Sequence, residues 1–140
     1  MKKIVSTTEA PAAVGPYSQA VRVGQLVFTA GQIPLHPASG QIVSEDIAEQ
    51  TKQVLNNLTA VLKAENLTFD HIVKTTVFMT DLGQFQTMNE IYASYFTNQP
   101  PARSTVQVSA LPKGAQVEIE VIAVSDQKPA GGQLSVDVGE

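Results

Sequence analysis

The sequence predicts an α+β fold: one domain in which two helices lie on one face of a mixed, mostly antiparallel sheet. Two helical periodicities, at 47–62 and 85–96, alternate with β-branched and aromatic runs at 20–29, 72–79, 102–108 and 117–124. The strand-like runs pair at each end with a single one between the helices, an order of ββ-α-β-α-ββ. A chain of 140 residues is the size of one compact domain and buries roughly two-thirds of its unfolded surface.

Each element has a local cause. Ala20–Val23 and Leu26–Thr29 read as two strands joined at Gly24-Gln25, where glycine supplies the positive φ of a tight hairpin. Pro34, Pro37 and Gly40 then punctuate a loop with brief extended pieces. Ile47, Val54, Leu55, Leu58, Val61 and Leu62 form one buried stripe opposite an exposed Glu49, Gln53, Asn57 and Lys63. Ser44 is placed to cap this helix, Glu45 and Asp46 suit its dipole, and Asn66 marks its stop. Ile72–Met79 predicts an inner strand. Asp81 caps a second helix with Gln84 reaching back, Phe85, Met88, Tyr92 and Tyr95 or Phe96 give its apolar face, and Pro100-Pro101 end it.

Strands at Ala102–Val108 and Val117–Val124 follow, separated by the turn-prone Leu111-Pro112-Lys113-Gly114. In the last strand Val117, Ile119, Val121 and Ala123 make a wholly apolar face, while Glu118, Glu120, Ile122 and Val124 make a mixed one that a subunit interface would bury. Composition turns Pro/Gly/polar at Asp126, which predicts a folded domain over 1–125 and a poorly ordered tail over 126–140. Leu134 to Val138 retain the pattern needed to pair with an exposed sheet edge.

Composition excludes several classes of function. Apolar residues make up 43% of the chain and no run approaches a membrane span. The N-terminal residues lack the apolar run of a signal peptide, so a cytoplasmic location is expected. With no cysteine there is no disulfide, thiol nucleophile or thiolate metal site. A net charge of −4 with scattered basic residues disfavours nucleic acid as a partner. His36 and His71 share no metal-ligand spacing, and neither a phosphate-binding glycine loop nor a nucleophile elbow is present. A structural role is expected for both histidines.

Arg103 stands apart inside the weakly charged segment Pro101-Ala102-Arg103-Ser104-Thr105-Val106. Its planar five-donor fork suits a bidentate carboxylate. A structural ion pair with Glu118 or Glu120 is the alternative, and spacing alone leaves both open. Strand alternation adds a condition. If the strands carrying Arg103 and Glu118 pair directly, an odd-sum register such as Gln107 opposite Glu118 puts both residues on one side, and an even-sum register separates them.

Four ordered blocks carry a resemblance: Ala10-Pro11-Ala12-Ala13-Val14-Gly15-Pro16-Tyr17-Ser18-Gln19-Ala20, Ala30-Gly31-Gln32-Ile33-Pro34, Ile72-Val73-Lys74-Thr75-Thr76-Val77-Phe78, and Pro101 to Val108 through Leu111-Pro112 to Glu120. Up to about Val124 the chain resembles the RidA (YjgF) family. The resemblance implies a chorismate-mutase-like fold, a homotrimer with active sites between subunits, and hydrolysis of 2-imino acids such as 2-iminopropanoate and 2-iminobutanoate to 2-keto acids and ammonia, with no cofactor. It also implies that Arg103 binds the substrate carboxylate, that Glu118 positions or activates water, and that Tyr17, Ala30, Gly31, Asn89 and Thr105 line the pocket. Ala30 stands where many members have serine and Thr105 where many have cysteine. Two rival functions go with the same resemblance: a non-enzymatic ligand-binding or chaperone-like trimer, and an RNA-directed ribonuclease or translation inhibitor.

Overall fold

The computed structural model describes residues 1–126. Its elements are β1 (Lys3–Val5), β2 (Ala20–Val23), β3 (Leu26–Thr29), α1 (Ile47–Lys63), β4 (Ile72–Met79), α2 (Phe85–Tyr95), β5 (Ala102–Gln107) and β6 (Val117–Val124). They form the expected α+β architecture, with one six-stranded sheet in the order β1-β2-β3-β6-β4-β5. Every neighbouring pair is antiparallel except β4 and β5. Parallel neighbours need a long crossover, and α2 supplies it. Most of the tail expected over 126–140, including the edge pairing of Leu134 to Val138, lies outside the described residues.

Hydrophobic burial organises one side of the sheet. Val117, Ile119, Val121 and Ala123 of β6 pack with Val77 and Met79 of β4 in the same core as Val54, Leu55, Leu58, Val61 and Leu62 of α1 and Met88 of α2. Each such aliphatic side chain contributes roughly 1.5–3 kcal/mol on leaving water. Among the described residues no helix covers the other side of the sheet, and Ile4, Leu26, Phe28, Val106 and Val124 are exposed there. No helix among the described residues is long and apolar enough to cross a membrane.

Four local expectations are corrected. The three-residue β1, too short to show a strand period, pairs with β2 and extends the sheet by one strand. Asp46, not Ser44, caps α1. Its Oδ2 accepts from Glu49 N at 3.0 Å, and Ser44 Oγ instead accepts from Asp46 N at 3.0 Å, shaping the turn before the helix. Asp81 caps a separate short turn over Leu82–Gln84 through Gly83 N (2.8 Å), and Gln84, the residue before α2, makes no capping bond. Asn57 is buried, not exposed. The proline-punctuated loop, not solvent, covers its face of α1, and Asn57 Nδ2 donates to the carbonyls of Ile33 (3.3 Å) and Leu35 (3.0 Å).

The register of the central strands positions everything that follows. β5 and β6 do not pair, because β4 runs between them. Across the three strands Val121, Thr75 and Arg103 share one row, and Glu118, Phe78 and Val106 share another. Side chains alternate faces along a strand, so the first row lies on the helix side and the second on the open side. Arg103 and Glu118 therefore project from opposite faces of one sheet, and the same-side arrangement that direct pairing would allow does not occur.

Candidate active site

Arg103 lies beside Thr75 of β4 and faces α2. That helix brings Phe85, Asn89, Tyr92 and Phe96 into one stripe, because positions three and four apart share a face. Asn89 Oδ1 accepts from Arg103 Nη1 at 2.7 Å. The guanidinium carbon sits 4.7 Å from the Tyr92 ring centroid and 5.4 Å from that of Phe85, within the range of a cation–π contact. Tyr92 packs against Phe96 with centroids 4.4 Å apart, and its hydroxyl bonds Thr75 Oγ1 at 2.8 Å. A cavity of about 380 Å³ opens here, lined by Asn89, Tyr92, Ala93, Phe96, Pro101 and Arg103. Burial raises the Tyr92 pKa, opposed by the Thr75 hydrogen bond and the Arg103 charge, so the phenol is neutral at neutral pH.

The ion-pair alternative for Arg103 is excluded among the described residues. Glu118 and Glu120 belong to the other face of the sheet, and Arg103 forms no salt bridge there. Its partners are a neutral amide and two aromatic rings. One guanidinium nitrogen is occupied by Asn89, which leaves others of the five donors for a ligand.

Glu118 belongs to a second cluster, on the open face. A backbone bridge holds the neighbouring loop against β6: Gln32 N donates to Ile119 O (2.9 Å) and Ile119 N to Gln32 O (3.2 Å). Gly31 is thereby pressed against the Glu118 carboxylate so closely that an added Cβ would overlap it, with Cδ only 2.8 Å away. Burial raises the Glu118 pKa, and the charge of Glu120 raises it further. Ala30, half-buried, donates its N–H to Gln19 O at 2.9 Å and ties this loop to the segment after Tyr17.

Two predicted pocket residues stand apart from these clusters. Tyr17 is 54% exposed, accepts from Val14 N at 3.4 Å, and lines a separate cleft of about 460 Å³ with Thr7, Ala13 and Gln19. Thr105 lies two residues beyond Arg103 on the same face of β5, and its Oγ1 is buried without a hydrogen-bond partner among the described residues. The structure thus joins Arg103 with Asn89 and Glu118 with Gly31, and separates these pairs within the chain. Both histidines hold turns: His36 Nδ1 accepts from Ala38 N at 3.3 Å, and His71 Nδ1 from Thr68 N at 3.0 Å.

Sequence reading missed Thr75, Phe85 and Tyr92 as site residues. Phe85 and Tyr92 were assigned to the apolar face of the helix, and their spacing about Asn89 was the available signal. Thr75 gave none, since only the parallel register puts it beside Arg103.

A mixed α+β chain with an uncompensated strand arginine over an aromatic-lined cavity, and a pressed carboxylate on the reverse face, defines the class. The comparisons give the family. Residues 7–125 match the family model described as endoribonuclease L-PSP. The chain is 54% identical over 126 residues to protein DfrA of Myxococcus xanthus, covering 89% of this chain and 96% of that protein. It is 52% identical over 124 residues to the 2-iminobutanoate/2-iminopropanoate deaminase of Mus musculus, covering 89% and 92%. Among solved structures it matches YyfA of the Rid protein family from Yersinia pestis, with a TM-score of 0.87, 52% identity and coverage of 89% and 99%. E. coli TdcF with bound serine matches with a TM-score of 0.85, 46% identity and the same coverage. The chain belongs to the endoribonuclease L-PSP family, the RidA (YjgF) family that its sequence resembles.

Gly31→Ala is expected to keep the fold, because the end of a glutamate can swing aside from the new methyl group. Displacing the carboxylate toward water should bring the Glu118 pKa down toward its ordinary value, which side-chain carbonyl NMR titration reads directly. An unchanged titration would show that Gly31 does not confine Glu118.

Proposed function

We propose that this chain, through its 1–125 domain, hydrolyses reactive 2-imino acids such as 2-iminopropanoate and 2-iminobutanoate to 2-keto acids and ammonia, as a homotrimer with sites between subunits. The observation that carries this reading is Arg103: a charge beside a cavity, oriented by Asn89 and two rings, with no carboxylate partner among the described residues. The deaminase name of the mouse relative supports the reaction. The serine in E. coli TdcF supports the ligand class, since it carries a carboxylate and a nitrogen on the adjacent carbon.

The opposite faces of Arg103 and Glu118 favour a site shared between subunits. One subunit contributes Arg103, Asn89 and Thr105, and its neighbour contributes Glu118, Gly31, Ala30 and Tyr17 across the exposed apolar face. Arg103 grips the carboxylate in two places and so fixes C2. Glu118 takes a proton from a water molecule as its oxygen attacks C2, and the C=N π pair moves to nitrogen. The proton then passes to that nitrogen, and the carbinolamine collapses to C=O with loss of ammonia. General acid–base help of this kind contributes about 10²- to 10⁴-fold. Burial raises the Glu118 pKa, which makes the carboxylate a stronger base toward the attacking water. The unpartnered Thr105 hydroxyl offers the substrate a further bond, and Ala30 adds no hydroxyl.

Arg103→Ala is expected to abolish turnover of 2-iminopropanoate made in situ while the protein remains folded. Arg103→Lys should recover little, because an ammonium lacks the planar two-point grip. Full activity in the alanine variant would rule out the carboxylate clamp. Glu118 works as base only when ionised, so kcat/KM should fall as pH drops through a value above the ordinary 4.5 of a carboxyl. Glu120→Gln removes the repelling charge, lowers the Glu118 pKa and moves this acid limb to lower pH, with burial keeping it above the ordinary value.

A further inference from the structure

We infer that Thr75 and Tyr92 are positioning residues for the carboxylate site: the hydroxyl pair locks the Tyr92 ring as the platform on which Arg103 is aimed. This inference rests on the carboxylate-binding role proposed for Arg103. Thr75 is fully buried in a row that is otherwise apolar along β4, among Ile72, Val77 and Met79, and Tyr92 is 5% exposed. Valine would fill the same space there without a polar atom to satisfy, so the hydroxyl serves a contact and not volume. Its one partner is Tyr92 Oη at 2.8 Å.

A guanidinium only donates: Arg103 Nη1 donates to Asn89 Oδ1, and the Arg103 charge lies against the Tyr92 ring, whose hydroxyl is tied to Thr75 Oγ1. The ring is held at the far end by Phe96, 4.4 Å away, and presents its face to the guanidinium at 4.7 Å. Asn89, one turn earlier on α2, fixes Nη1 from the side. Rotation of the fork is thus limited by one amide and one ring face, and the Tyr92 hydroxyl is tied down by Thr75. The parallel register that pairs Thr75 with Arg103 makes this chain of contacts short and entirely internal to one subunit.

The test uses the full chain with Thr75→Val, Tyr92→Phe and Thr75→Ser, and three readouts: KM and kcat for 2-iminopropanoate, the Kd of pyruvate by calorimetry, and the urea midpoint. Loss of the Thr75–Tyr92 hydrogen bond that holds the ring against the guanidinium is expected to raise KM and the pyruvate Kd about tenfold in Thr75→Val and Tyr92→Phe. With uniform binding weakened, kcat should stay within about twofold. Thr75→Ser, which keeps the hydroxyl, should restore both constants. In an Arg103→Ala background Thr75→Val should have no further effect on pyruvate binding, since the two residues act as one unit. Constants unchanged in Thr75→Val and Tyr92→Phe, with only the urea midpoint lowered, would overturn the inference and leave a packing role. Wild-type protein that binds pyruvate with this dependence but releases no ammonia from the imine would refute the deaminase reading and leave the positioning role standing.

Discussion

Three adjacent strands, β6, β4 and β5, share one pleat, and that pleat decides where each reactive side chain projects. Because β4 is hydrogen-bonded to both neighbours, the register of each ladder sets the face that its strand's side chains take. Arg103 falls in the row of Thr75 and Val121, and Glu118 in the row of Phe78 and Val106. A slip of one residue in the β4–β6 ladder would turn Glu118 and Glu120 into the core. Such a slip is opposed by the apolar side chains of β6 and β4 that pack under α1 and α2. The hydrophobic core thus sets the placement of the two groups on which the proposed chemistry depends.

The two strand arginines sit in contrasting electrostatic environments. Arg22 is buried, and its Nη1 meets Glu65 Oε1 at 3.1 Å, with Lys3 on the other oxygen of that carboxylate at 2.9 Å. Removing one member of such a group strands a charge away from water, so its place is structural. Among the described residues Arg103 has neutral partners: an amide oxygen and two ring faces. These orient a cation without cancelling it, the condition under which an incoming carboxylate gains most. Glu118 is tuned from the reverse direction, since burial and Glu120 both make its ionised form less favourable.

Much of the fold was legible in the sequence because it rests on period and punctuation. The stripe of α1, the Gly24 hairpin, with φ of 61°, and the apolar face of Val117–Val124 each follow from local pattern. Strand order was not legible: nothing in Ala102–Gln107 says that it pairs parallel to β4 rather than beside β6, and this one choice sends Arg103 and Glu118 to opposite faces. Asn57 shows the same limit, since a polar residue on a helix reads as exposed until a loop folds over it. At the site, Arg103 was visible as a charge out of place and Asn89 through family resemblance. Tyr92 was hidden among apolar helix residues and Thr75 among β-branched ones, because their role depends on three elements meeting.

A site divided between subunits has a direct measurement. Arg103→Ala and Glu118→Ala proteins, each purified without activity, can be unfolded together and refolded as mixed assemblies, then assayed for ammonia release from 2-iminopropanoate. If one subunit supplies the arginine and its neighbour the glutamate, some mixed interfaces carry both native residues, and activity returns in the mixture but not in either variant refolded alone. Mixed assemblies that form and stay inactive would contradict the divided site.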